Sequence, residues 1–317
     1  SIPTTVRAMP VYAIASGKGG VGKTTTAIAL AACAGAASES AVLVDADLGM
    51  ADVATFLGLD DGPTLHDVLA GDADTETALR SAEGFDVLPA GTDLEGYAAA
   101  DPAGLGAVLD DLSERYDVIL LDAGAGLSHD TVLPLGLADE VVLVSTPDEV
   151  SVVDTDKTRA LAERVGGTLR GVVLTKAIEA DLADLSAGID VPLLGVVPED
   201  GAVGEAAADR RPVPAFAPQS PAGTAYMDIA ADLFGVAVTA MDFADDEDGT
   251  AGASIEEAAV DPFPGEEAAV EESEPDEAAV DDAADHDAGG PAAETDNATG
   301  ADADKEKRGF FARLFRR

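Results

Sequence analysis

Nine consecutive residues near the start of the chain, Gly17-Lys18-Gly19-Gly20-Val21-Gly22-Lys23-Thr24-Thr25, have the types and spacing to hold a polyphosphate. They fit the pattern G-x-x-x-x-G-K-[ST]. The glycines let the backbone turn tightly and bring its N–H groups onto phosphate oxygens. Residues 11–16 before the loop read as a short apolar strand, and residues 24–31 after it read as a helix. The helix N-terminus adds a partial positive charge at the phosphates. In that setting Lys23 reaches the β- and γ-phosphates and the Thr24 hydroxyl ligates Mg²⁺.

Three aspartates have the placing to complete this chemistry. Asp45 and Asp47 follow the apolar run 41–44. Carboxylates two residues apart beyond a strand point to the same side. At the phosphate end of a sheet they can serve Mg²⁺ and an attacking water. Asp122 ends the apolar run 118–121, where an aspartate usually holds Mg²⁺ through water.

These residues need a sheet that delivers them to one edge. Apolar runs recur at residues 11–16, 41–45, 85–89, 118–122, 141–144, 171–175 and 193–197. Most are continuous rather than alternating, as in parallel strands covered on both faces. The segments between them are long enough for crossover helices. The expected fold is α/β: a doubly wound, mostly parallel sheet of about seven strands with helices on both faces, a P-loop NTPase, binding its ligand at the C-terminal strand ends. A last helix over residues 224–234 closes the domain, taken as residues 1–240.

Composition excludes several alternatives. The chain of 317 residues carries 62 acidic and 18 basic side chains, a formal charge of -44. Self-repulsion on that scale strains a compact fold at low salt. It is tolerable where salt shortens the Debye length to roughly 3 Å at 1 M. The acidity therefore points to a salt-loving source, and direct nucleic-acid binding, which needs a basic footprint, is disfavoured. Cys33 is the only cysteine, so one chain can build no disulfide, zinc or iron–sulfur framework from it. It reads as a small core residue on the first helix. His66, His129 and His286 show no ligand spacing and read as surface residues. No leader and no apolar run of about 18 residues is visible, so a cytoplasmic location is expected.

The loop G-K-G-G-V-G-K-T-T, with its second lysine at Lys18, resembles that of the MinD/ParA family of deviant Walker A ATPases, of haloarchaeal type. Residues 1–240 contain four lysines, Lys18, Lys23, Lys157 and Lys176, and two of them stand in this loop. The resemblance implies ATP with Mg²⁺, an ATP-bound homodimer, and a Lys18 that crosses the dimer interface to the partner's nucleotide. It implies that Asp47 orients or activates water with Asp45 in support. Asp52 stands where the family often has Asn. Asp122-Ala123-Gly124-Ala125-Gly126 is similar to the second switch, with Gly124 in place of the usual Pro. Asp154 and Asp156 match an acidic pair near the family's dimer seam, and serve equally as acids at a helix N-terminus. Thr175-Lys176 takes the place of an Asn-Lys/Arg pair beside the adenine, and the backbone around Pro198, Glu199 and Asp200 matches the segment that packs on the purine. The resemblance spans residues 11–234.

Residues 241–304 are different material, with 23 acidic residues, no Lys or Arg and two phenylalanines. Such a segment cannot bury a core and is expected to be a disordered linker, spanning on the order of 45 Å as a flexible coil. Its alternative use is to bind a basic partner. Residues 305–317 carry six of the chain's 18 basic residues. As a helix, Phe310, Phe311, Leu314 and Phe315 share one face and Arg313, Arg316 and Arg317 the other, the pattern of a helix lying in a membrane interface. It resembles the membrane-targeting helix of the MinD branch; a partner-binding peptide is the alternative.

The functional expectation is an ATP hydrolase, slow without an activator. It dimerises with ATP, sits peripherally on the inner face of the cell membrane and positions a division-site or polar assembly, with cargo and activating protein unspecified. The alternatives are a ParA-type partitioning ATPase and a nucleotide-gated scaffold whose hydrolysis is incidental.

Overall fold

The computed structural model describes residues 10–126, 129–178 and 191–243. The acidic segment beyond residue 243 and the terminal stretch with Phe310, Phe311, Arg313, Leu314, Phe315 and Arg316 lie outside the described residues, as does His286.

The described strands are β1 (Val11–Ser16), β2 (Ala41–Asp45), β3 (Arg80–Ser81), β4 (Asp86–Leu88), β5 (Val118–Ala125), β6 (Glu140–Ser145), β7 (Thr168–Ala177) and β8 (Leu193–Pro198). They form one sheet in the order β3-β4-β2-β5-β1-β6-β7-β8. Every pairing is parallel except β3 with β4. The strand beyond the expected seven is β3, whose two residues are too few to leave a periodic signal in the sequence.

The hydrophobic runs work as two-sided strands. On β1, Tyr12 and Ile14 belong to one core layer, and Val11, Ala13 and Ala15 to the other. On β6, Val142 and Val144 face the first layer while Val141 and Leu143 face the second. The side-chain period of two thus builds both layers from continuous apolar sequence. Helix α1 (Lys23–Ala36) lies in the first layer and is buried from Ala27 through Ala34, Cys33 included. Its alanines allow close approach. At Gly35 an added Cβ would meet the Gly84 carbonyl oxygen at 1.8 Å. Burial pushes the Cys33 thiol pKa up, which keeps it an uncharged core group.

Register sets the site. β1 lies between β5 and β6, and the phosphate loop leaves from its C-terminal end. Asp45 pairs with Asp122 across β2 and β5, and Ile14 pairs with Asp122 across β1 and β5. The two aspartates therefore reach one level beside the loop.

Three local expectations need correction. The helix carrying Asp154 and Asp156 begins earlier, at Glu149, and runs to Val165. The last helix begins at Pro221, because Ser220 accepts the Gly223 N–H and Pro221 fits the first helical turn. His66 is buried, not on the surface. The helix Leu65–Ala70 is opened by a capping box between Thr64 and Asp67. That start turns His66 inward with Leu69, three residues on, and sets its ring edge-on to Tyr97 at 6.0 Å.

Candidate functional site

The loop between β1 and α1 takes the backbone conformations its glycines permit. Gly20 has φ +76° and Gly22 φ +92°, both in the region that L side chains rarely adopt. Gly22 is also the residue that starts α1, and no side chain caps it. The first amides of a helix have no partner within it, so those of α1 are suited to an anion. Gly17 serves a different end. A Cβ there would come 2.2 Å from the Asp154 backbone carbon, so glycine lets the helix Glu149–Val165 lie against the loop.

Behind the loop the charged side chains form one connected group. The Lys23 ammonium donates to Asp122 at 2.7 Å and lies 3.9 Å from Asp47. The Thr24 hydroxyl lies 2.7 Å from Asp122 and 3.2 Å from Asp52. With one hydrogen to give, it favours Asp122. Asp45 is fully buried and accepts backbone N–H groups of Asp47, Asp52 and Val53. Desolvation, then the charges of Asp122 and Asp52, hold the Asp45 carboxyl well above its ordinary pKa. Asp52 is raised by burial and then by Asp122. For Lys23, burial alone would lower the pKa, but the charge and hydrogen bond of Asp122, with Asp47 and Asp45, prevail and raise it. The lysine is thus held cationic among four carboxyl groups.

This group floors a cavity of about 670 Å³, within the size range of pockets that bind small molecules and cofactors. Residues 19–25, Asp47, Thr175, Pro198, Glu199 and Asp200 line it. Asp45 and Asp122 stand behind this lining, with no exposed surface. Gly17 and Lys18 are not on its wall. Lys18 is half-exposed and pairs with Asp148 at 3.8 Å. Part of the wall is apolar, from Met50, Phe56, Val203 and the ring of Tyr226. Sequence reading did not name these four. They come from three segments far apart in the chain and carry no local pattern. Asp52 carried a signal, as a third acid within eight residues of Asp45, but the sequence did not show that it reaches Thr24.

The donor set fits a nucleotide with Mg²⁺. The polar lining offers helix amides, one lysine and a threonine hydroxyl; the apolar lining suits a base. Among the described residues no group of three or more His, Cys, Asp or Glu side chains would hold a metal unaided. Thr24, with Asp122 and Asp47 nearby, fits Mg²⁺ only when phosphate oxygens and water complete the shell, the usual habit of that ion.

Two of the expected base-side residues have other commitments. The Thr175 hydroxyl is spent on main-chain carbonyls. Asp200 accepts the N–H of Ala202 on one oxygen at 3.0 Å and that of Ala222 on the other at 2.9 Å. It thereby joins the starts of the helices Gly201–Asp209 and Pro221–Phe234 beside the cavity. The Ala222 and Ala202 bonds hold its carboxyl pKa below the usual value of 3.8. A carboxyl with a lowered folded pKa stabilises above its unfolded pKa and loses that contribution as pH falls through the folded one. Asp200→Ala is therefore expected to cost about 1–2 kcal/mol at neutral pH, the scale of a lost helix cap. The gap from the unaltered protein should narrow as pH falls below 3.8 towards the lower folded pKa. Urea denaturation at pH 7 and pH 3 measures both; a gap that did not depend on pH would contradict the role.

The model of the CobQ/CobB/MinD/ParA nucleotide-binding domain matches residues 12–213. An uncharacterized ATP-binding protein of Methanocaldococcus jannaschii is 37% identical over 229 residues, covering 70% of this chain and 87% of its own length. The cell division ATPase MinD of Pyrococcus furiosus has a solved structure with 33% identity and a TM-score of 0.66, over 72% of this chain and 99% of that one. The septum site-determining protein MinD of Pyrococcus horikoshii, complexed with Mg-ADP, has 34% identity and a TM-score of 0.65, over 71% and 95%.

Proposed function

Since this chain belongs to the CobQ/CobB/MinD/ParA nucleotide-binding family and is a MinD/ParA-like ATPase, we propose that it works as a membrane switch. ATP pairs two copies, the pair holds the inner face of the cell membrane through residues 305–317, and hydrolysis releases it. In this reading the protein positions a division-site or polar assembly. The observation that carries the nucleotide half is the joined contact of Lys23 and Thr24 with buried Asp122 at the floor of the cavity.

In the reaction Lys23 supplies a fixed positive charge for the phosphates, and the amides at the start of α1 add their partial charges. Mg²⁺, when bound, neutralises charge across the phosphates. Thr24 and Asp122 would hold that ion, the latter through water. Asp47, which faces the cavity, orients the attacking water and takes its proton. Lys18 stands half-exposed at the rim and acts on the nucleotide of the second copy. Turnover is slow without an activating protein.

The membrane half rests on the sequence of the terminal stretch. Fully buried, each of its four large apolar side chains would contribute roughly 1.5–3 kcal/mol. Ordering each residue costs about 1–2 kcal/mol, and high salt screens attraction to anionic lipid. One copy is marginal, and two joined copies gain by avidity. Among the described residues no helix is long and apolar enough to cross a membrane.

The test is co-sedimentation with anionic-lipid vesicles in high salt, with ATP, ADP or no nucleotide, using the full chain and one ending at Asp304. ATP-dependent pelleting that disappears in the shorter chain is expected. Equal pelleting without nucleotide, or none in any condition, would overturn the switch. A ParA-type role moving DNA is less favoured unless a partner supplies the DNA contact, because residues 1–240 carry 38 acidic and 12 basic side chains and direct binding needs a basic footprint.

A further inference from the structure

Thr175 and Lys176, near the end of β7, hold two consecutive carbonyls of the phosphate loop. The Thr175 hydroxyl donates to the Val21 carbonyl at 2.5 Å, with the Ser145 carbonyl at 3.2 Å as its weaker alternative. The Lys176 ammonium donates to the Gly20 carbonyl at 2.7 Å. A trans peptide is planar, with its C=O and N–H pointing in opposite directions. A bond that fixes the Gly20 carbonyl therefore fixes the Val21 N–H on the other side of that plane. One that fixes the Val21 carbonyl fixes the Gly22 N–H in the same way.

The loop needs such fixing. Gly19 and Gly20 have no atom within 4 Å of where a Cβ would stand, so neighbouring side chains do little to limit their torsions. The brace is firm at Thr175. Thr175 is buried at 3% exposure, and its side chain lies under Gly22, whose added Cβ would be 3.8 Å from the Thr175 hydroxyl oxygen. Lys176 has φ +54°, a conformation rare for a residue with a side chain and retained where its surroundings impose it.

We propose that Thr175 and Lys176 are a two-pronged positioning pair that presets the Gly20–Val21 and Val21–Gly22 peptide planes for phosphate, and that Thr175 does not read the base. This deepens the ATPase reading and rests on it. It also accounts for threonine at position 175: its one donor goes to the loop, where an electrostatic site gains most from groups that need no reorganisation when the charge arrives.

The test separates phosphate from base by titration calorimetry on the full chain with Mg²⁺ and three probes: inorganic tripolyphosphate, ADP and GDP. Thr175→Val leaves the Val21 carbonyl without its donor. It is expected to weaken tripolyphosphate and ADP about tenfold each, or about 1.4 kcal/mol, with the ADP-to-GDP preference unchanged. Thr175→Ser keeps the hydroxyl and should restore binding to within about threefold of the unaltered chain. Lys176→Asn tolerates the left-handed backbone but cannot reach the loop; it should weaken both phosphate ligands, and Lys176→Arg should recover them.

A Thr175→Val variant that binds tripolyphosphate normally but changes its ADP-to-GDP preference would make Thr175 a base reader and overturn the proposal. So would Thr175→Ser failing to restore binding while melting at the normal temperature. Failure of the unaltered chain to bind Mg-ADP at all would be a different result, sinking the ATPase reading and the pair with it.

Discussion

Lys23→Ala should abolish most ATP hydrolysis and also weaken the fold without nucleotide, two losses from one side chain. The first follows from removing the principal charge aimed at the phosphates. Loss of a single preorganised donor at a reacting centre costs about 10²–10³ in turnover. The second follows from the ion pair at 2.7 Å between Lys23 and Asp122, whose side chains are 10% and 0% exposed. Breaking a buried pair from one side costs about 3–5 kcal/mol, because the remaining charge keeps its desolvation penalty. Here the penalty is compounded, since Asp45 is also fully buried and Asp47 and Asp52 stand nearby. Steady-state turnover and urea denaturation without ligand measure the two effects. Normal turnover would remove Lys23 from the reaction, and an unchanged denaturation midpoint would show that Asp122 is satisfied without it.

Asp47→Ala should separate binding from chemistry. Asp47 lines the cavity, and its carboxylate oxygen lies 3.9 Å from the Lys23 ammonium, an ion pair too long for a hydrogen bond. It therefore contributes less than Asp122 to holding the lysine. Its proposed work is on the attacking water, and a positioned general base contributes typically about 10²–10⁴-fold. Turnover should fall by that factor while Mg-ADP affinity stays within about threefold. A parallel loss of affinity and turnover would instead make Asp47 part of the nucleotide cradle. The same variant addresses what hydrolysis is for. A switch should stay on vesicles with ATP and fail to release, and its biological activity should be lost. A scaffold with incidental turnover would keep that activity.

These two residues differ in how visible they were. Lys23 lies inside a contiguous motif whose spacing states its role. From its own residues Asp47 is legible only as one acid of a pair beyond a strand; the family resemblance separates its work from that of Asp45, and the structure adds the burial of Asp45 under three backbone N–H groups. His66 shows the opposite failure. A lone histidine with no ligand spacing reads as surface, yet the turn set by Thr64 and Asp67 carries it into the interior.

By itself the sequence determined the elements whose information is local. The phosphate loop, the seven longer strands and α1 follow from patterns a few residues long, because glycine torsions, side-chain period and helix polarity act over such distances. The identity of Asp122 as the acid that ends an apolar run follows in the same way, although β5 continues past it to Ala125. Tertiary structure alone decided what depends on pairs far apart in the chain. Lys23 meets Asp122 99 residues away, and Thr175 meets the Val21 carbonyl 154 residues away. Asp200 ties together two helices, and Met50, Phe56, Val203 and Tyr226 close one apolar wall. No local rule specifies these meetings. They are set by strand order and register, which place remote residues at one edge of the sheet and leave each donor a particular acceptor within reach.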